Sequence, residues 1–373
     1  MPKPLEGIRV VELARVLAGP WCGQLLADLG AEVVKVERPG AGDDTREWGP
    51  PFVTGDGGEN LGAAYYHSCN RGKRSVAVDI ATAAGQAEVR ALLADADVAI
   101  ENYKVGGLVK YGLDPARLRV DFPRLVVCSI TGFGQTGPYA HRAGYDYIVQ
   151  AMSGFMSLTG EPDGPPQKAG IAYADIFTGM YSAVAILAAL RRRDVTGGGA
   201  HIDMALLDSQ VAVLANQAAN YLATGVAPKR MGNAHANVVP YQVFATADGQ
   251  LVIAVGNDAQ YRKLCAILGT PEWADDPRFA NNAARLTNRG ELIPLLAARI
   301  AAWDAQPLSL ALEAEGVPAG PINDLAQVFA DPQVIARGMR LRPDGAAIDG
   351  VASPIVIDGE RMVAAGGAPS LDD

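Results

Sequence analysis

A chain of 373 residues is longer than one hydrophobic core usually serves, so two domains are expected. Its 49% hydrophobic and 20% charged content is that of a soluble globular protein, with no apolar stretch near the roughly 18 residues that a membrane span requires. The net charge of −9, from 32 basic and 41 acidic residues, argues against nonspecific nucleic-acid binding and obliges any anionic ligand to find a local basic pocket.

The segment Met1 to Gly7 has no apolar core of a signal peptide and leads directly into a strand, which predicts a cytoplasmic protein. Apolar runs of strand length follow at residues 8–13, 32–36, 75–78, 98–100 and 125–130, with helical patterns between several of them, for example 82–94. That alternation is the mark of an α/β fold with a parallel sheet. Ligands of such sheets collect at the carboxyl ends of the strands, so the loops after Leu13, Val36, Ile100 and Ile130 are where a site is expected. Helices are predicted near 176–191 and 204–222. A Gly/Pro-containing segment follows at 224–228, and residues 241–246 and 251–255 then flank an Asp248-Gly249 turn, a strong hairpin signal. With helices near 258–268 and 289–302, the organisation reads as a large domain over 1–200, a helical linker over 201–224 and a small α+β domain over 225–325. Neither the four cysteines (Cys22, Cys69, Cys128, Cys265) nor the four histidines (His67, His141, His201, His235) have disulfide-framework or metal-ligand spacing, so no metal is expected.

Asp175 heads the nearly uncharged helical run 176–187, where a carboxylate is expensive unless compensated. The free N–H groups and the dipole of a helix N-terminus are the available compensation, and they would keep it ionised, as suits a nucleophile. The plainer alternative is an ordinary N-cap. Gly132-Phe133-Gly134-Gln135-Thr136-Gly137 follows a strand and matches G-x-G-x-x-G, but Pro138 and Gly144 leave no helix start for a pyrophosphate, and no strand carries the acidic residue expected about 20 positions on. A turn whose glycines permit close backbone approach fits better than a nicotinamide site. Basic residues gather at predicted strand ends: Arg38, Arg71, Lys73, Arg74, Lys104, Lys110 and Arg142. Each alone is an ordinary surface charge; together, in an acidic protein, they suit a phosphate-bearing cofactor such as coenzyme A.

Several of these segments resemble, in order along the chain, the class III CoA transferases. They are Ala14-Arg15-Val16-Leu17-Ala18-Gly19-Pro20, Val36-Glu37-Arg38-Pro39-Gly40 with Gly42-Asp43 and Arg46, Asn70 to Ser75, Glu101-Asn102-Tyr103, Gly132 to Pro138, Ala143-Gly144-Tyr145-Asp146 and Ala174-Asp175-Ile176-Phe177-Thr178-Gly179. The agreement continues through Val239 to Gln242 and Gly316 to Ile322. The resemblance implies a Rossmann-like large domain, a smaller α+β domain, a return of residues 326–373 to the large domain, and an interlocked homodimer. It further implies Asp175 as nucleophile and coenzyme A as co-substrate, with no tightly bound cofactor. Leu17, Ala18, Arg38, Val78, Asn102, Tyr103, Lys104 and Lys110 would contact adenine and phosphates, while Arg142, Gly144 and Tyr145 would border the thioester arm.

A related branch, the α-methylacyl-CoA racemases, needs a base and a conjugate acid on opposite faces of the α-carbon. Tyr145 stands where that branch has a histidine, and a phenol with pKa near 10 is a poor base. The chain has Leu17 where formyl-CoA:oxalate transferases carry glutamine, and lacks their glycine-run loop. The stretch from Gly232 to Gly249 looks more like succinyl-CoA:dicarboxylate transferases of the glutarate type. Expected partners are therefore an acyl-CoA and a small dicarboxylic acid, with no nucleic acid or membrane. Arg15, Arg46 and His235 are the candidates for the distal carboxylate, and Gly232 with the glycines near Asp175 for oxyanion donors. The remaining alternatives are a racemase and, from another class, a nicotinamide-dependent dehydrogenase.

Overall fold

The computed structural model describes residues 2–55 and 57–372, which divide into two compact units. The first comprises the residues up to Phe155, Lys168–Ala215 and those from Asp331; the second comprises Met156–Gln167 and Asn216–Ala330.

Six strands form the sheet of the first unit: β1 (Arg9–Leu13), β2 (Glu32–Glu37), β3 (Lys73–Ala77), β4 (Val98–Glu101), β5 (Val126–Thr131) and β6 (Ala200–Ala205). All pairings are parallel, in the order β3-β2-β1-β4-β5-β6. Alternate residues serve opposite faces, as the two-residue repeat of a strand requires. Val10 and Ala14 join Cys22 and Leu26 of helix α1 (Ala18–Asp28) and Ile186 and Leu190 in one cluster; Val11 and Leu13 join Val89 and Leu93 of α2 (Ala83–Ala94) in the other. The strand order reverses between β1 and β4, which opens a crevice at their carboxyl ends.

Helices α3 (Asp146–Met152), α4 (Tyr173–Thr196) and α5 (Leu206–Ala212) complete this part of the unit. The 24-residue α4 is, among the described residues, long and apolar enough to cross a membrane, contrary to the expectation that no such stretch exists. It is a core helix: Ala174, Ala183, Ile186 and Leu190 are buried in the cluster beside the sheet. Gly179 permits its approach to α1, since a Cβ there would lie 2.7 Å from the Ala18 carbonyl oxygen and 3.1 Å from Trp21.

Residues 201–224 are not a helical linker. Ala200–Ala205 is the edge strand β6, in register with β5 from Val126↔Ala200 to Thr131↔Ala205, and helices cover Leu206–Ala212 and Ala215–Thr224. Ile202 and Met204 alternate with His201 and Asp203, a two-residue period hidden next to a helical one. Residues 156–167 join the second unit, where Arg230 donates to the Glu161 and Gly164 carbonyls and Gly232 N–H to the Gly160 carbonyl.

The second unit contains an antiparallel sheet of β7 (Tyr241–Ala245), β8 (Gln250–Ala254) and β9 (Ala319–Pro321), in the order β9-β8-β7. The hairpin at Asp248-Gly249 forms as expected, closed by Thr246 N–H donating to the Gly249 carbonyl. Helices α6 (Asp258–Ile267), α7 (Arg289–Ile300) and α8 (Ala305–Ala314) enclose its core of Leu251, Ile253, Leu264, Leu292, Leu296 and Leu308. The segment from Asp331 onward packs in the first unit: Arg71 donates to the Val351 carbonyl, Ala364 N–H to Asp28, and Gly72 N–H to the Gly367 carbonyl.

A fully buried charge cluster lies between the sheet and α1. Lys35 Nζ is 2.9 Å from both Glu12 Oε1 and Asp43 Oδ2, and Lys73 Nζ is 2.9 Å from Glu12 Oε2, all with side chains withdrawn from solvent. Burial alone would lower the Lys35 pKa, yet the two carboxylates hold it above its ordinary value. Breaking such a pair leaves a buried charge without its partner and costs about 3–5 kcal/mol. Lys35→Met is therefore expected to destabilise the protein by that amount in chemical denaturation, and a loss below about 1 kcal/mol would contradict the paired-charge account.

Candidate active site

The loops after β1, β4, β5 and β6 enclose a cavity of about 450 Å³ at the crevice. Leu17, Ala18, Asn102, Tyr103, Lys104, Lys110, Arg142, Gly144 and Tyr145 line it together with Arg15 and Asp175. Arg38 and Val78 line an adjoining cavity of about 240 Å³, which shares Arg15, Tyr103 and Tyr111 with the first. An elongated ligand with a polar head and a narrow arm fits two cavities that share a wall.

Its cations differ in how freely they can meet an anion. Lys104 and Lys110 make no ion pair among the described residues, and Lys110 Nζ lies 4.6 Å from the Tyr111 ring centre. Arg142 lies 4.5 Å from the Tyr139 ring and 5.6 Å from Phe133, which orients its guanidinium without neutralising it. Arg15 and Arg38 share Asp44, at 2.6 and 2.9 Å. Arg46 is not available to a substrate: it bonds both Glu37 oxygens at 2.9 and 2.7 Å and covers the Tyr66 ring at 3.8 Å. Arg71 and Lys73 are likewise buried against Asp28 and Glu12, so they do not belong to a ligand-facing basic edge.

The glycine-rich turn serves the cavity rather than a dinucleotide. A Cβ on Gly132 would lie 2.4 Å from Gly144 Cα, so the turn and the following loop touch backbone to backbone while both line the cavity. The next helix begins only at Asp146.

Asp175 is the third residue of α4, half-buried, with Ala172 at the cap position. The expectation that helix amides hold its carboxylate is not met. The Ala174 N–H donates instead to Asp146 Oδ1 at 2.8 Å, and Asp146 Oδ2 accepts from Gln150 Nε2 at 2.7 Å. No described donor bonds the Asp175 carboxylate. Burial, and then the charge of Asp146, push its pKa up to about 7. Tyr65 is close enough to register the same charge: burial and then Asp175 raise its phenol to about 12. Sequence reasoning assigned no role to Asp146 or Tyr65. They stand 29 and 110 positions from Asp175, and only the fold brings them near.

Gly232 and His235 belong to the second unit. The Gly232 N–H is spent on the Gly160 carbonyl at 3.1 Å, which removes it as an oxyanion donor. Gly179, close to Asp175, is likewise occupied in helix packing. His235 Nδ1 accepts from the Asn237 N–H at 3.0 Å, and its ring lies 5.1 Å from that of Tyr241.

Residues 5–373 match the family model described as CoA-transferase family III. The chain belongs to that family. It is 60% identical over 357 residues to the succinate–glutarate CoA-transferase of Agrobacterium fabrum, covering 95% of this chain and 89% of that protein. The human succinyl-CoA:glutarate CoA-transferase is 46% identical over 352 residues, covering 94% of this chain and 79% of the relative. A CAIB/BAIF family protein from Brucella suis, 56% identical, superposes with a TM-score of 0.88 over 100% of this chain and 97% of that one.

With Asp175 as the attacking carboxylate, kcat/KM is expected to rise with pH through about 7 and to level off above it. An unshifted aspartate would instead give a flat profile between about pH 6 and 8. Asp146→Asn keeps an oxygen for the Ala174 N–H but removes the neighbouring charge, so the rise is expected to move to lower pH. A pH–rate profile that does not move would show that Asp146 exerts no charge effect on Asp175.

Proposed function

We propose that this CoA-transferase moves coenzyme A from succinyl-CoA to a small dicarboxylate, glutarate foremost, with Asp175 as the covalent carrier. The observation that supports it best is the placement of one donor-free, half-buried carboxylate in the wall of a cavity that also carries unpaired Lys104 and Lys110. The activities of the Agrobacterium and human relatives supply the acyl pair. In this reading the Asp175 carboxylate attacks the thioester carbonyl, the C–S bond breaks, and a succinyl–aspartyl anhydride forms beside CoA thiolate. The thiolate attacks the aspartyl carbonyl, releasing succinate and leaving an aspartyl–CoA thioester. Glutarate attacks that thioester, expels the thiolate and forms a second anhydride. Attack of the thiolate at its glutaryl carbonyl then yields glutaryl-CoA and free Asp175.

No separate base is required above pH about 7, where Asp175 is ionised and every attacking group is an anion. Each tetrahedral step does develop an oxyanion, where one well-placed donor is worth about 2.7–4 kcal/mol. Lys104, Lys110 and Arg142 carry the charge that would face the phosphates and the arm of the thioester. The interlocked homodimer is part of the proposal. Tyr147, Ile148, Met180, Tyr181 and Val184 are exposed apolar residues of the first unit, of the kind an interface covers. A cytoplasmic location is also proposed, and the four unpaired, buried cysteines suit a reducing compartment.

Incubation with succinyl-CoA followed by hydroxylamine, on the species defined by sedimentation, is expected to convert Asp175 to its hydroxamate in a dimer. Glutarate should discharge the adduct before trapping. Absence of label at Asp175 would end the covalent account, and a fully active monomer would remove the dimer from it.

A further inference from the structure

Val16 is a β-branched residue at φ +70, in the wall of the cavity that contains Asp175. L residues, and β-branched ones above all, avoid that region, and such a conformation persists only where its surroundings over-determine it. The surroundings here are specific. The Val16 N–H points at both carboxylate oxygens of Asp43, each at 3.2 Å. Asp43 is fully buried and fixed on its other sides: Lys35 Nζ lies at 2.9 Å, while Thr45 donates its N–H at 2.9 Å and its hydroxyl at 2.8 Å. Asp43 N–H in turn donates to Glu37 at 2.7 Å. On the other side of the loop, Asn102 accepts from Arg15 N–H at 3.0 Å and donates to the Arg15 carbonyl at 2.7 Å. The Arg15-Val16 unit is thus clamped from two directions, and α1 begins two residues later at Ala18.

We infer that Asp43 is a positioning residue for the transfer reaction: it holds Val16 in a strained backbone conformation and so sets the Val16-Leu17-Ala18 wall against which the acyl-CoA lies. The inference rests on the reading of this cavity as the acyl-CoA site. Asp43 does not line the cavity and touches no substrate. It acts through the backbone it restrains, and the buried Lys35 and Thr45 keep its carboxylate in place. The physical consequence is a preformed wall, so acyl-CoA need not order the loop on binding.

A rescue cycle tests this, because glycine occupies φ +70 without help. Asp43→Asn, Val16→Gly and the double variant are compared by steady-state kinetics with succinyl-CoA. Asp43→Asn is expected to lower kcat/KM at least tenfold, mainly through KM. Adding Val16→Gly to it should recover at least threefold, and the pH dependence should keep its midpoint. A double variant no better than the product of the two single effects would overturn the inference, as would an Asp43→Asn enzyme with unchanged KM. If Asp43→Asn does not fold, Thr45→Val removes one donor that orients Asp43 and leaves the Lys35 pair intact. It should produce a smaller loss, about threefold, again relieved by Val16→Gly, and no relief would count equally against the idea. Hydroxylamine labelling of Asp175 in the unaltered enzyme separates the two claims: label present with an additive cycle sinks only the positioning role, whereas label absent sinks the transferase reading beneath it.

Discussion

A half-buried carboxylate with no hydrogen-bond donor of its own is the constraint around which this site is arranged. Asp175 sits at the start of a long core helix, yet the amide that might have held it is taken by Asp146, whose own charge lies nearby. Both effects disfavour ionisation, a cost placed on the group that acts as the covalent carrier in the proposed mechanism. A carboxylate held by several amides would be more acidic and less basic, with its lone pairs already committed. Here they are free to meet an acyl carbon.

The remainder of the first unit explains how that carboxylate comes to face a ligand. Gly179 lets α4 lie against α1, which brings Asp175 beside the loop after β1. That loop stands at the reversal of strand order, opposite the loop carrying Asn102, Tyr103 and Lys104. Beneath it lie Glu12, Lys35, Asp43 and Lys73, a set of charges whose burial is tolerable only because each is paired. The sheet therefore supplies a rigid floor, and the polar cluster joins that floor to the strained backbone at Val16.

Much of this was legible in the amino-acid sequence, for physical reasons that differ from residue to residue. The five apolar strand runs and the Asp248-Gly249 hairpin declared themselves through local periodicity and turn chemistry. Asp175 stood out because a charge before an uncharged helix is locally anomalous. Strand β6 was missed because its short alternation runs straight into helix α5. The assignment of residues 156–167 to the second unit depends on hydrogen bonds to Arg230 and Gly232, some 70 positions away. Arg46 looked like a substrate ligand because Glu37, its partner, lies in a strand whose neighbours the sequence does not reveal. The raised pKa of Asp175 was invisible for the same reason: burial first, and the charge of Asp146 second, push it up, and both arise only in three dimensions.

The ionisation of Asp175 in the unliganded enzyme is the quantity on which the site's chemistry turns. Carbon-13 labelling of aspartate carboxyls, with Asp175→Asn used to assign the resonance, gives its titration by NMR directly. A midpoint at about 7 is the predicted result. A midpoint near the ordinary aspartate value of about 3.9 would show that the carboxylate is solvated or bonded after all, and would contradict the arrangement described above.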